Sequence, residues 1–151
     1  ACTDALTGIF NRRAFFQAGN KELARLKRYG GAVCLATLDI DFFKRINDSY
    51  GHQVGDEALR LLTRTLASRL RQNDIFARVG GEEFAILLMQ STPAEAMEKM
   101  NELLDLMRTT PFAHGEHRDT ILFSAGLSPL LIDDESLDDA FSRADKLLYQ
   151  A

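Results

Sequence analysis

The sequence predicts an α/β domain of the α+β sandwich kind, with a mixed, mainly antiparallel central sheet flanked by helices. Three observations carry that prediction. The periodic segments read in the order α-β-α-β-β-α-β-α. Val33 to Leu38 is a continuous apolar run, the mark of a strand buried on both faces in the middle of a sheet. Gly80-Gly81 separates two short apolar runs, Ile75 to Val79 and Ala85 to Met89, as a tight hairpin would, because glycine takes positive φ without a Cβ clash.

The elements follow in order. Asn11 suits the N-cap of a helix from Arg12 to Tyr29, with Phe16, Leu23 and Leu26 inward and Gly30-Gly31 ending it. The strand from Val33 stops at Asp39. Phe42 to His52 mixes aromatic, basic and amide residues and reads as a short helix and loop. Gly55-Asp56 opens a long helix with Leu59, Leu62, Leu66 and Leu70 at three- and four-residue spacing. Thr92-Pro93-Ala94-Glu95 is a capping box with proline at the first helical position, and Met97, Met100, Leu104 and Met107 form that helix's apolar stripe. Phe112 to Asp119 reads as a polar, solvated loop, and Ile121 to Leu127 as a strand. Ser136 caps a last helix that turns Leu137, Phe141, Ala144, Leu147 and Leu148 inward.

Composition narrows the function. A chain of 151 residues with 46% hydrophobic content suits one domain, residues 1–151, with a substantial core. No run reaches the length of a membrane span, and no charged-then-apolar leader opens the chain. A net charge of -4 argues against a general nucleic-acid binder. Cys2 and Cys34 are too few for a disulfide framework, and Cys34 within an apolar strand reads as a reduced, buried thiol, so the cytoplasm is the expected compartment. His52, His114 and His117 lack zinc spacing.

Two acidic clusters stand out, Asp39-Ile40-Asp41 and Glu82-Glu83, each at a strand end. Taken alone, a Gly-Gly-Glu-Glu stretch is a solvated turn. Two strand ends that each deliver carboxylates are what a divalent-metal and phosphate site needs. Asp39 and Glu82 are hard oxygen ligands for Mg²⁺, which substrate phosphates commonly complete. Lys44 can meet phosphate as a point cation, and the backbone N–H groups around Phe42 and Phe43 can cradle it at a helix start. Asn47 and Asp56 suit the polar edge of a purine. Each residue also has a plain structural role open to it: surface lysine, turn, helix-start charge, or packing for His52 beside Gly51. Their combination carries the argument.

The spaced set Asp39-Ile40-Asp41-Phe42-Phe43-Lys44, Asn47-Asp48, Gly51-His52, Gly55-Asp56 and Arg78-Val79-Gly80-Gly81-Glu82-Glu83-Phe84 resembles the GGDEF family of diguanylate cyclases. Asp4 to Arg13 resembles the family's opening signature, and Ser124-Ala125-Gly126 and Ala144 to Ala151 its closing ones. Glu82 stands where the family name has aspartate and keeps a carboxylate there.

The resemblance implies a palm-like nucleotidyl cyclase fold and the condensation of two GTP into cyclic di-GMP, in a homodimer. It implies Mg²⁺, with Mn²⁺ as a substitute, held by Asp39, the Ile40 carbonyl and Glu82. Glu82 would also accept the 3′-hydroxyl proton and Lys44 would stabilise phosphate charge. Phe42, Phe43, Asn47, His52, Asp56, Gly80, Gly81 and Glu83 would line the substrate. Arg71 and Asp74, an Arg-x-x-Asp five residues before the glycine pair, match the family's inhibitory cyclic di-GMP site; the plain alternative is a helix-end cation and a turn. A sensory or dimerising domain outside this sequence is expected, and the parent protein can be membrane-attached. The family pattern continues past Ala151 with a lysine and a strand, so lower activity or stability is expected of this span. A catalytically silent GTP or cyclic di-GMP binding module and a cyclase making a 3′,5′-cyclic mononucleotide are the alternatives.

Overall fold

A computed structural model describes residues 1–150, with side chains through Leu148. Ala151 and the side chains of Tyr149 and Gln150, part of the closing signature, lie outside the described residues. The elements are α1 (Arg12–Tyr29), β1 (Val33–Ile40), α2 (Phe43–Tyr50), α3 (His52–Ala67), β2 (Ile75–Arg78), β3 (Glu83–Met89), α4 (Pro93–Arg108), β4 (Pro111–His114), β5 (His117–Thr120), β6 (Phe123–Pro129) and α5 (Leu137–Gln150). The main sheet has the order β2-β3-β1-β6. Every ladder in it is antiparallel, as a mainly antiparallel sheet requires, and the parallel pairing described is an isolated bridge, Phe10 to Ala77 of β2.

β1 is central because its side chains are apolar on both faces. Cys34, Ala36, Leu38 and Ile40 join the core with Leu59, Leu62 and Met100, while Val33 and Leu35 join Phe15, Leu23 and Phe141 on the other side. Helices α2, α3 and α4 therefore cover one face, and α1 and α5 the other. β1 also runs one residue beyond Asp39, which puts that carboxylate inside the strand with a fixed cross-strand register.

Several expectations are corrected by packing. α3 begins at His52, not Gly55, because Gly51 at φ 92° already breaks the chain between α2 and α3. Gly55 is instead a contact: a Cβ there would lie 1.9 Å from Asn47 Oδ1. In α4 the stripe is Ala96, Met100, Leu103 and Met107, with Met97 52% exposed, since the buried face follows the sheet rather than the methionines. Leu147 is likewise half-exposed, and on α1 Phe15 is the fully buried aromatic, with Phe16 beside it edge-on. The expected 112–119 loop is a two-stranded hairpin, β4 with β5, where His114 packs against Tyr50, Phe112 and His117. The following strand is Phe123–Pro129, two residues later than expected.

α5 is seated by two specific contacts. Its first N–H, of Leu137, is accepted by Asn20 Oδ1 of α1 at 2.8 Å, whereas the hydroxyl of Ser136, the expected cap, donates to Asp138. Below it, Gly126 of β6 lets the helix backbone approach: a Cβ there would lie 1.9 Å from the Ala144 carbonyl oxygen. That approach brings α5 down onto the sheet end where the carboxylates gather.

Candidate active site

Register places the acidic residues. Asp39 stands opposite Glu83 on β3 and opposite Ser124 on β6, and residues opposite in a ladder share a face. Glu82, just before β3, is tied to the same corner by its carbonyl, which accepts from the Ile40 N–H at 3.2 Å. The Asp39 and Glu82 carboxyls are close enough to share a proton. Burial first, then that hydrogen bond and the charges of Glu82, Glu83 and Asp41, push the Asp39 carboxyl up to about 7. Glu83 is also raised, by burial and then by Asp145 of α5, against the pull of Arg12. Crowded, partly desolvated carboxyls of this kind fit a divalent cation. Among the described residues no three His, Cys, Asp or Glu side chains converge on one metal position. An ion here would therefore take two carboxylates and be completed by carbonyl and ligand oxygens, which is how Mg²⁺ is commonly held.

The turn between β1 and α2 forms the next wall. Phe42 has φ 57° and ψ 30°, left-handed for a non-glycine residue; it is 71% exposed, with the Arg45 guanidinium over its ring at 4.9 Å. The turn leads into the unpaired N–H groups of the first turn of α2, where an anion is favoured. Lys44 is exposed on that turn. Phe43 is buried in the core, so its side chain anchors the helix and only its backbone can face a ligand.

Asn47 and Asp56 are both half-buried where α2 meets α3, and Asn47 Oδ1 is buried with no protein partner. His52, at the start of α3, is exposed. Gly80 and Gly81 do not occupy the left-handed region, which corrects the two-residue turn. The last ladder pair is Arg78 with Phe84, and the Val79 and Gly80 N–H groups both donate to the Glu83 carbonyl at 2.8 and 3.1 Å. The hairpin tip is thus a wider loop, and its shape is held from outside. Arg78 donates to the Gly81 carbonyl at 2.7 Å and pairs with Asp4 at 3.3 Å. Asp4, Arg78, Asp145 and Ser124 were not singled out by sequence reasoning. Arg78 acts on Gly81 three residues on but is fixed by the distant Asp4, and Asp145 and Ser124 are remote in sequence from the carboxylates they adjoin; only their places in the signatures hinted at them.

Arg71 and Asp74 lie at the other end of β2 and β3, away from this corner. The Arg71 guanidinium donates to the Met89 carbonyl, to Ser91 Oγ at 3.1 Å and to Asp74. Asp74, whose side chain is only 1% exposed, accepts from the Arg71 and Met89 N–H groups at 2.9 and 3.0 Å. The aspartate thus staples the turn to β3. Beside it opens a cleft of about 340 Å³ lined by Arg25, Tyr29, Asn73 and Gln90.

An antiparallel sheet with paired carboxylates at the end of its central strand, beside the free N–H groups of a helix start, defines a palm-type nucleotidyl cyclase domain. Solved structures bear out the fold. The diguanylate cyclase SiaD of Pseudomonas aeruginosa, in complex with its activator SiaC, matches 99% of this chain and 57% of its own at TM-score 0.94 and 35% identity. The GGDEF domain of DgcB from Caulobacter crescentus, in complex with c-di-GMP, matches 99% of this chain and 86% of its own at TM-score 0.92 and 30% identity. The family described as "Diguanylate cyclase, GGDEF domain" matches residues 1–151, and the chain belongs to it. The diguanylate cyclase DgcP of Pseudomonas aeruginosa is 43% identical over all of this chain, which spans 22% of that protein's length. No described helix is long and apolar enough to cross a membrane.

Proposed function

We propose that this domain condenses two GTP molecules into cyclic di-GMP and releases two pyrophosphates. The observation that carries the reading is the Asp39–Glu82 carboxyl pair beside the α2 N-terminus and the Asn47–Asp56 recess. On this reading the corner would supply metal ligands, a phosphate cradle and purine-edge partners to one nucleotide. Asp39, Glu82 and the Ile40 carbonyl would hold Mg²⁺ or Mn²⁺, which supplies charge neutralisation and acidifies a neighbouring hydroxyl. The N–H groups around Phe42 and Phe43, with Lys44, hold the triphosphate. Asn47 and Asp56 take the guanine edge, with His52 at the rim, and Gly80, Gly81 and Glu83 bound the opposite wall. Glu82 accepts the 3′-hydroxyl proton as that oxygen bonds to the other GTP's α-phosphorus and the bond to pyrophosphate breaks. One chain forms one such site, so two must face each other across a two-fold axis. A sensory or dimerising domain, beyond this span of its longer relatives, would bring them together.

The Arg71–Asp74 turn is the proposed site of inhibition by cyclic di-GMP. The adjoining cleft with Arg25 supports it, and Arg71 must leave Met89 and Ser91 to engage a ligand. The test of the function is incubation with GTP and Mg²⁺ over a range of protein concentration, with separation of the nucleotides. Cyclic di-GMP should form, with activity per protomer rising as dimers form, and Glu82→Gln should lower it by about 100-fold or more without unfolding the domain. Tight nucleotide binding with no product would point instead to a silent binding module, and a 3′,5′-cyclic mononucleotide to a different cyclase.

A further inference from the structure

Phe42 holds a backbone conformation that is costly for a residue with a Cβ, and such a conformation persists only where its surroundings impose it. Packing of its own side chain does not impose it, the residue being 71% exposed. The constraint comes from β6 and the residue that leads into it. The Asp41 N–H donates to the Leu122 carbonyl at 2.9 Å, and the Ser124 hydroxyl donates to Asp41 Oδ1 at 2.6 Å. From the β3 side, the Ile40 N–H is fastened to the Glu82 carbonyl. The end of β1 is thereby gripped from both neighbouring strands at the point where it turns into α2.

We infer that Ser124 is a positioning residue for the GTP reaction, clamping Asp41 so that the β1–α2 turn sets the phosphate cradle at a fixed distance from Asp39 and Glu82. Ser124 stands opposite Asp39 in the ladder, yet its proton goes to Asp41, two residues on. That choice leaves the Asp39 carboxyl to Glu82 and to a cation. It also gives Asp41, whose charge adds to the crowding at Asp39, a role as the acceptor in a short, charge-assisted hydrogen bond rather than as a ligand. Misplacement of reacting groups by a fraction of an ångström is costly to an in-line displacement, so a hydroxyl that never touches substrate can still govern rate.

This inference rests on the cyclase reading, and one set of assays separates the two. The full chain, Ser124→Ala, Ser124→Thr and the nearly isosteric Ser124→Cys are assayed for cyclic di-GMP formation from GTP and Mg²⁺, well below their melting temperatures. No product from the unaltered chain overturns the reading itself. With that chain active, Ser124→Ala should lower kcat/KM about tenfold or more, with a raised KM for GTP, while its melting temperature stays within a few degrees. Ser124→Thr, which keeps the hydroxyl, should restore most of the loss. Ser124→Cys, a poor donor, should behave like the alanine variant and replaces it should that variant not fold. Unchanged kcat and KM in the Ala and Cys variants, or a Thr variant as impaired as Ala, overturns the clamp.

Discussion

Asp39 and Glu82 approach closely enough to share a proton although 42 positions of sequence lie between them, and burial makes the second negative charge at that corner costly. Asp39 is pushed to about 7, well above its ordinary 3.8. Between about pH 4 and 7 the folded domain therefore keeps a proton that the unfolded chain has released, and stability falls as pH rises through that window. Asp39→Asn should raise the melting temperature of the metal-free domain at pH 8, with a gain that shrinks toward pH 5. Millimolar Mg²⁺ should stabilise the unaltered chain at pH 8 and the variant much less. A gain independent of pH would show that the carboxyl is not the cause.

The Arg71–Asp74 turn staples the chain to β3, and mutation can separate that role from the inhibitory one proposed for it. Arg71→Ala should leave the initial velocity near that of the unaltered chain and remove the slowing as cyclic di-GMP accumulates. Losing a charge-assisted contact costs about 1.5–3 kcal/mol, so affinity for the inhibitor should fall roughly tenfold or more. Asp74→Ala should also lower the melting temperature, because Asp74 satisfies two backbone N–H groups. Equal sensitivity to product at matched initial rates would make Arg71 only a brace for Met89 and Ser91.

Gly126 is a packing requirement. Its substitution by alanine would drive a methyl group into the Ala144 carbonyl, and backbone cannot rotate aside as a side chain does. Gly126→Ala should cost about 1–3 kcal/mol or more, read as a lower urea midpoint, and should loosen α5 from β6. A midpoint within error of the unaltered chain would show that α5 has room to shift.

Acid should find a weak point at Asp134. Arg143 holds Asp134 through paired contacts at 2.7 and 2.8 Å, and these hydrogen bonds keep the Asp134 carboxyl below its usual range. The stability this gives is present above about pH 4 and is lost as pH falls through the depressed value. Arg143→Met should therefore cost about 1.5–3 kcal/mol near neutrality, and the deficit should narrow below pH 3. Urea melts across pH 2–7 would show it, and a constant deficit would assign the loss to packing of the Arg143 stem.

What the sequence determined by itself was whatever short range and periodicity encode. The β1 run is apolar on both faces and can only be central. Thr92 and Glu95 complete their capping box locally. The spaced carboxylates, amide and lysine between Asp39 and Glu83 marked the family and a candidate site because a motif keeps residue types at fixed intervals. Tertiary structure decided the rest, since it depends on what another segment brings. Met97 faces water because the sheet lies under Ala96 and Leu103. Leu137 is capped by Asn20 from a helix over a hundred residues earlier, not by its neighbour Ser136. The glycine pair needs no left-handed turn because Arg78 and Glu83 shape a wider one. Ser124 and Asp145 entered the site only when β6 and α5 packed against the end of β1, a juxtaposition no local pattern records.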